Sequence, residues 1–405
     1  MVDRGRPTAM LRPPRGRERS RVTFVELFYD LVFVFAITQI AHPLADEQDL
    51  AALGGALLLT VAVWWVWVET AWATNWLNPD HRAVRFALFV LMLVGLLMAS
   101  AIPEAFGDTG WLFGLTIAVG TVGRGVFATL AFRGARPDHV HNFLRLTIWS
   151  SVSGIFWIAG GFAPADLRPF LWTIALVISM LAPTVRFRVP LLDASPVETW
   201  DVAGEHLAER VSLFLIIMLG EAIILTGSTL STVPLDWASL LAFVAAFTST
   251  VLMWLLYFNH AAAGGSRYVR DAASPGPVAR LAYTYVPVVL VVGILLTAVA
   301  DELVLRDPFG VDGGADPLFA AALMCGAPAV YLLGNALFDR AIGLPWMRPH
   351  LVGAVFLVAL VAAYPVVPSL ALTWVANGVL LLVVLAEDRA DRRIRRGDAP
   401  SGSSA

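Results

Sequence analysis

Residues 22–42 read VTFVELFYDLVFVFAITQIAH and decide the fold of this chain. Such a stretch is long enough to cross about 30 Å of hydrocarbon at about 1.5 Å per residue. It carries two acids, Glu26 and Asp30, whose spacing of four places them on one helix face. A carboxylate near the bilayer centre costs on the order of 3 kcal/mol. We therefore expect this face to serve a structural or functional purpose.

The composition extends this prediction to the whole chain. Of 405 residues, 58% are hydrophobic and 15% are charged, against about 25% charged residues in soluble domains. The pattern predicts an all-α, polytopic integral membrane bundle of about twelve transmembrane helices rather than a barrel, whose strands alternate polar and apolar residues. The predicted spans, the eleventh of them short, are 22–42, 51–76, 82–102, 111–132, 140–162, 167–187, 205–229, 237–259, 278–301, 317–338, 350–364 and 367–386.

The arginines give an orientation. All 28 basic residues are arginine, which is typical of a GC-rich bacterial genome. Arginines gather in every second connection, and only Arg168 and Arg306 depart from the alternation. Under the positive-inside rule, both termini are expected in the cytoplasm and the protein in the bacterial cytoplasmic (inner) membrane, as a multi-pass chain.

The chain outside the spans is short. Residues 1–21 are predicted to be a disordered, arginine-rich cytoplasmic tail and 387–405 a second disordered cytoplasmic tail, with 22–386 as the membrane domain. Arg21-Val22-Thr23-Phe24 and Arg210-Val211-Ser212-Leu213 begin spans one and seven alike. This pattern leaves open a division into two six-helix halves, 22–188 and 205–386.

Four buried charges are predicted at one depth. Counted at about 1.5 Å per residue, Glu26, Asp30, Glu69 and Arg124 all lie roughly 6–12 Å from the cytoplasmic ends of their spans. We predict a contact between Asp30 and Arg124, with Glu26 or Glu69 as the neighbouring acid. The contact either fixes helix packing or belongs to a polar pathway. Glycines beside Arg124 are expected to let a neighbouring helix approach, namely Gly120, Gly123 and Gly125.

Glu69 shares a helix face with tryptophans. Trp65, Trp72 and Trp76 lie at spacings of four, three and seven from it. A carboxyl group surrounded by aromatic side chains is suited to carrying a proton, and the faces of aromatic rings also bind cations. Alternatively, these tryptophans serve only to pack the helix against its neighbours, with Trp76 at the membrane–water interface.

Span seven carries a second group of candidates. Arg210 and Glu221 fall on nearly the same helix face, with Glu221 roughly 17 Å further along and predicted to be the most deeply buried acid. Glu209 and Arg210 are alternatively interfacial, with the arginine extended to headgroups. His206, just before them, is a secondary candidate.

The sequence contains no metal-ligand spacing around His42, His139, His141 or His206, and no phosphate loop or nucleophile elbow. We therefore expect no cofactor, no metal and no enzymatic activity, with an intramembrane lipid-modifying enzyme as the remote alternative. Expected partners are membrane lipids, an unidentified small solute or ion and a further copy of the chain, and not nucleic acid.

These residues resemble a known family. Arg21–Gln39 is similar to the opening signature of the bacterial low temperature requirement A (LtrA) family, and His206–Arg210 with Leu213-Phe214 and Leu219-Gly220-Glu221 is similar to its second signature. Matching residues also follow the second span, at Asn75, Asn78, Asp80 and Arg85. The family was named for a requirement for growth in the cold. The resemblance implies a family and no particular chemistry.

Two functions remain open from the sequence. The first is a secondary transporter or a proton or cation pathway that uses the buried carboxylates. The second is a non-transporting scaffold or cold- or envelope-adaptation factor whose buried salt bridges lock helices together.

Overall fold

The chain is mostly helical in the part that the computed structural model describes, which is residues 10–13, 21–134, 137–190, 192–195, 200, 202–261, 275–310 and 316–397. The helices are α1 Phe24–Glu47, α2 Leu50–Thr74, α3 Arg82–Ala101, α4 Gly110–Ala131, α5 Pro137–Phe162, α6 Arg168–Leu181, α7 Gly204–Leu230, α8 Trp237–Leu256, α9 Pro275–Arg280, α10 Pro287–Arg306, α11 Pro317–Ala341, α12 Arg348–Leu360 and α13 Ser369–Gly397. A π turn, Leu281–Tyr285, joins α9 to α10.

Ten spans in the described residues are long and apolar enough to cross a membrane. The all-α membrane fold is thereby confirmed, and the protein is a multi-pass membrane protein. The helices α6 and α12 are shorter. The sequence predicts the sixth span at 167–187, but α6 has 14 residues and ends at Leu181, because Pro183 has no backbone N–H to donate to the carbonyl of Ser179 and so interrupts the helical hydrogen bonds. The eleventh predicted span corresponds to α12, which is short, as predicted.

The described chain forms two compact units. Unit 1 comprises Met1–Met218 and Ser266–Val288, and unit 2 comprises Leu219–Gly265 and Val289–Ala405. The boundary therefore falls inside α7 rather than between the halves 22–188 and 205–386. The similarity between spans one and seven stays a prediction. The predicted C-terminal tail is also shorter than 387–405, because α13 continues to Gly397; the residues beyond 397 lie outside the described part.

Arg168 departs from the arginine alternation for a structural reason. Its buried guanidinium donates hydrogen bonds to five backbone oxygens, those of Ala105, Gly107, Gly160, Gly161 and Ala163. The last three belong to the end of α5 and the residue after it, where carbonyls lack partners within the helix. Arg168 thus serves as a helix cap and carries no information on sidedness.

Close packing of α4 against α5 requires glycine. A Cβ atom at Gly114 would collide with the backbone oxygen of Trp157, and one at Gly125 would lie 2.5 Å from Thr147 Oγ1. Gly123 has open space instead. Of the glycines beside Arg124, Gly125 therefore permits the predicted approach and Gly123 does not contribute to it.

This contrast gives a matched test of the helix packing. Gly114→Ala is expected to lower the stability by about 1–3 kcal/mol, because the obstructing atom belongs to the backbone. Gly123→Ala, on the same helix, is expected to leave stability unchanged or to raise it by up to about 1 kcal/mol through helix propensity. Thermal unfolding of the purified protein in detergent distinguishes the two, and equal melting temperatures would contradict the packing described.

Candidate functional site

The site in unit 1 is built around Glu26, in the first turn of α1. The backbone nitrogen and the hydroxyl of Thr23 both donate to Glu26 Oε2, each at 2.9 Å. This arrangement, in which the side chain of the third helical residue accepts a hydrogen bond from the residue that precedes the helix, is called a capping box. The Glu26 side chain is fully buried. The first acid of the opening span is therefore both a helix cap and a buried charge.

Three side chains, one from the N-terminal segment and two from α7, converge on this carboxylate. Arg12 Nη2 donates to Oε2 at 2.9 Å, and Arg210 Nη1 donates to Oε1 at 3.1 Å. His206 Nε2 lies 2.9 Å from Oε1. Charge-assisted hydrogen bonds are the stronger kind in proteins, so Glu26 joins α1, α7 and the N-terminal segment firmly.

Asp30, one turn further along α1, shares Arg210 with Glu26. Arg210 Nη2 binds Asp30 Oδ1, and Trp67 Nε1 donates to the same oxygen at 2.7 Å. The Arg210 guanidinium also lies over the Trp67 ring, 5.5 Å from its centre, a cation–π contact. Arg210 is fully buried. It is therefore not an interfacial arginine, which was the alternative from the sequence.

We call Arg12, Glu26, Asp30, His206 and Arg210 the α1 charge network. Its two guanidinium groups face two carboxylates, so the formal charges cancel. Such pairing is what a buried charge needs, since an uncompensated one costs several kcal/mol. Within the described residues, Asp30 Oδ2 and Arg210 Nε have no hydrogen-bond partner.

His206 is held by Asn75, the residue that follows α2. Asn75 Nδ2 lies 3.3 Å from His206 Nδ1, and its amide also pairs with the backbone of Ala203 through two bonds of 2.9 Å. In the Nε2–H tautomer, His206 accepts from Asn75 at Nδ1 and donates to Glu26 Oε1. Arg12 Nη2, 3.1 Å from Nε2, then donates to Glu26 Oε2. Two residues of the family resemblance, Asn75 and His206, thus meet at this site.

The N-terminal segment corrects the prediction of a disordered tail over 1–21. Arg12 N donates to Trp76 O at 2.7 Å, and Arg12 Nε donates to Thr74 O at 2.7 Å. Burial lowers the pKa of the Arg12 guanidinium, and the Glu26 carboxylate opposes that shift. Residues 10–13 are therefore ordered against the end of α2, because Arg12 neutralises Glu26. Residues 1–9 and 14–20 lie outside the described part.

The predicted contact between Asp30 and Arg124 is wrong. Arg124 instead pairs with Glu69 Oε2, the neighbouring acid of that prediction, while Trp65 Nε1 donates to Glu69 Oε1 at 3.1 Å. Depth along a helix does not specify to which side of the helix a side chain points. Arg210 from α7, and not Arg124, lies beside Asp30.

A short hydrogen-bond chain leads from this pair towards α1. Arg124 Nη1 donates to Thr70 Oγ1 at 3.3 Å, and the hydroxyl of Tyr29 donates to the same oxygen at 2.9 Å. Tyr29 directly precedes Asp30. Thr70 on α2 therefore lies between the Glu69–Arg124 pair and the α1 charge network.

A cavity of about 270 Å³ lies beside Glu69. Six aromatic side chains line it, namely Trp65, Trp72, Trp76, Phe143, Phe187 and Trp200. Trp72 is held in place by its Nε1, which donates to Thr284 Oγ1 at 2.8 Å. Thr184 and Arg186 belong to the lining and are exposed, so the cavity reaches the surface. We call it the tryptophan cavity.

The charges of the tryptophan cavity are predominantly positive. Its charged lining residues are Glu69, Arg186 and Arg280. Glu69 is compensated by Arg124, whereas neither lining arginine has an ion pair within the described residues. Arg280 Nη1 donates to the backbone oxygen of Pro183 at 2.6 Å. The cavity thus combines apolar walls with surplus positive charge.

Three of the residues predicted from the sequence do not join either group. Glu221 is half-buried, so it is not the most deeply buried acid; Glu26 and Asp30 are fully buried. Glu209 is exposed on α7. Arg85 is exposed and lies 3.5 Å from Asp80, at a separate cavity of about 580 Å³ that Arg12 and Arg21 also line.

The comparisons with known proteins agree with the signature residues. A family model described as Bacterial low temperature requirement A protein (LtrA) matches residues 21–385. The uncharacterized protein RA0937 of Rhizobium meliloti (strain 1021) is 38% identical over 386 residues, which cover 94% of this chain and 92% of that relative. No solved structure matches the chain.

Proposed function

The chain belongs to the bacterial low temperature requirement A (LtrA) family, and we propose that it is a secondary transporter for a small aromatic organic anion. One observation carries the proposal. The tryptophan cavity lies among the helices of a membrane protein, reaches the surface, and has both aromatic walls and surplus positive charge. Concave sites with apolar walls and a few charged groups are typical of small-molecule binding.

The dimensions and chemistry of the cavity define the solute. Its volume of about 270 Å³ lies near the lower end of ligand pockets, so the solute is small. Aromatic rings favour a flat apolar body through stacking. Arg186 and Arg280 favour a carboxylate, sulfonate or phosphate group, because a planar guanidinium group pairs with two oxygens of such an anion through two parallel bonds.

An ion pathway, the other form of the transport hypothesis, is less well supported by these walls. Pathways for inorganic ions use rings of carbonyl oxygens or charged side chains. The walls of the tryptophan cavity are largely aromatic instead. A solute with an apolar body fits them better than a bare cation does.

The Glu69–Arg124 pair supplies a means of coupling. A proton on Glu69 would remove the negative charge from the cavity wall and leave the charge of Arg124 to attract an anion. An anion in the cavity and a proton on Glu69 would then stabilise each other, and such linkage is reciprocal. The pair therefore favours symport of one proton with one anion.

The distribution of arginines supports a placement in the cytoplasmic membrane with both termini inside. The tryptophan cavity contains Arg186 and Arg280 from two of the arginine-rich connections. On this placement the cavity opens towards the cytoplasm, as it would in the inward-facing state of a transporter.

Binding of two matched aromatic ions tests the proposal. Benzenesulfonate and phenyltrimethylammonium are similar in size, permanently charged and opposite in sign. We expect benzenesulfonate to quench the tryptophan fluorescence of the purified protein saturably, and phenyltrimethylammonium to bind at least tenfold more weakly. Tighter binding of the cation would contradict the assignment of an anion site.

Arg280→Ala is expected to weaken benzenesulfonate binding roughly tenfold, since a hydrogen bond to a charged group contributes about 1.5–3 kcal/mol. Arg82→Ala is the matched control, because Arg82 is exposed at the start of α3 and lies outside the cavity lining. Fluorescence titration measures both affinities. If the double variant Arg280→Ala with Arg186→Ala bound benzenesulfonate with the affinity of the wild type, these two arginines would not form part of the anion site.

A second function, a non-transporting scaffold, is favoured by the α1 charge network itself. The network is buried, its formal charges cancel, and it joins α1, α2, α7 and the N-terminal segment. Those properties suit a lock between helices. This alternative requires the tryptophan cavity to bind neither aromatic ion.

A further inference from the structure

Three buried metal-ligating side chains meet in unit 2, remote in sequence from one another. Asp339 lies near the end of α11, His350 in the first turn of α12 and Glu387 in α13. One ligand atom of each lies within 4.8 Å of those of the other two. Their exposed fractions are 5%, 0% and 4%. Three different helices thus bring one imidazole and two carboxylates to a single point.

Polar atoms at this point lack the partners that burial demands. Within the described residues, His350 Nδ1 and Nε2 and Glu387 Oε2 have no hydrogen-bond partner. His350 Nε2 lies 3.0 Å from Glu387 Oε1, but without hydrogen-bond geometry. A buried unsatisfied polar group costs about 1–3 kcal/mol, and native proteins contain few of them. A ligand that accepts lone pairs would satisfy Glu387 Oε2 and one of the two imidazole nitrogens, since the other nitrogen of a neutral imidazole carries a hydrogen.

The helices also pack closely beside the three residues. Gly353 lies one turn after His350, and a Cβ atom there would come within 2.9 Å of Val383 on α13 and 3.0 Å of Leu332 on α11. The glycine therefore allows α12 to approach both neighbours. This packing brings the three side chains together at one point, with their ligand atoms within 4.8 Å of one another.

We propose that Asp339, His350 and Glu387 bind a first-row divalent transition-metal ion. Two carboxylates and one imidazole offer a divalent cation both oxygen and nitrogen donors. A mixed nitrogen and oxygen donor set suits Zn²⁺, Mn²⁺ or Fe²⁺. It does not suit Ca²⁺, which takes six to eight oxygen ligands.

A neighbouring amide offers a further oxygen. Asn335 lies four residues before Asp339 on α11, so the two share a helix face. Its Nδ2 donates to Tyr331 O at 3.0 Å, while Oδ1 has no partner within the described residues. The ion would tie α11, α12 and α13 together at one end of unit 2. This inference is independent of the transport proposal.

The test is metal binding by the full-length protein, stripped with a chelator and freed of any affinity tag. We expect about one Zn²⁺ per chain by elemental analysis and a rise in melting temperature on addition of Zn²⁺ or Mn²⁺. Glu387→Gln and His350→Gln are each expected to weaken Zn²⁺ binding at least tenfold. His42→Gln is the matched control, because His42 is exposed on α1.

A spectroscopic readout keeps the inference testable if either variant fails to fold. Wild-type protein loaded with Co²⁺ should show ligand-field absorption bands that one equivalent of Zn²⁺ abolishes. Absence of Co²⁺ and Zn²⁺ binding by the wild type would overturn the inference. Zn²⁺ affinity in a folded Glu387→Gln protein equal to that of His42→Gln would overturn it as well.

Discussion

Arg210→Met is expected to lower the free energy of unfolding by about 3–5 kcal/mol, the cost of breaking a buried ion pair by removing one partner. Arg210 is fully buried and binds both Glu26 and Asp30. Methionine keeps much of the side-chain volume and removes the charge, so two carboxylates lose the cation between them. Thermal unfolding in detergent, followed by tryptophan fluorescence, measures the loss.

Arg85→Met is the matched control for Arg210→Met. Arg85 is exposed and its nearest carboxylate, on Asp80, is exposed too, so we expect a change within about 0.5 kcal/mol. The double variant Arg210→Met with Asp30→Asn should lose less stability than the sum of the two single variants, because each removes one side of the same interaction. Additive losses would show that Asp30 and Arg210 do not interact.

Glu69→Gln is expected to separate binding from coupling. The amide resembles the protonated acid, so benzenesulfonate should bind to Glu69→Gln at least as tightly as to the wild type. Transport should then stop responding to a pH gradient, because no proton is taken up at residue 69. Exchange of labelled for unlabelled benzenesulfonate across proteoliposomes, measured with and without the gradient, shows both effects.

Glu47→Gln is the control for Glu69→Gln, since Glu47 is an exposed acid at the end of α1 and outside the tryptophan cavity. It is expected to transport as the wild type does. A Glu69→Gln protein that still follows the pH gradient would remove Glu69 from the coupling mechanism, while leaving the cavity as the binding site.

The fold was predictable because the information for it is local. Runs of about twenty apolar residues mark membrane spans wherever they occur, and ten such helices are present in the described residues. The sixth span was overestimated because hydropathy continues past Leu181 while the helix does not; Pro183 ends it. Hydropathy reports which residues avoid water and does not report backbone geometry.

The candidate site was predictable only in part, because partners depend on the arrangement of helices in space. Glu26, Asp30, Glu69, Arg124 and Arg210 are all in ion pairs, and all but Glu69 are buried, as a charge in an apolar helix requires. Which arginine meets which acid depends on rotation about each helix axis, and that rotation is set by packing between distant segments.

Other residues gave no usable signal in the sequence. Arg12 is one of seven arginines in a segment predicted to be a tail. Only its contact with Glu26 in the structure distinguishes it from the other six. Asp339, His350 and Glu387 lie on three separate helices and form no motif. Asn75 was detectable, because the family resemblance includes it, but its role as the partner of His206 required the structure.

The central claim is that the tryptophan cavity moves an aromatic anion together with a proton. The most direct measurement is uptake of labelled benzenesulfonate into proteoliposomes under a gradient of one pH unit, alkaline inside. One proton per anion makes transport electroneutral, and one pH unit corresponds to about 1.4 kcal/mol, so we predict about tenfold accumulation. Uptake no greater than that of protein-free liposomes would contradict the account.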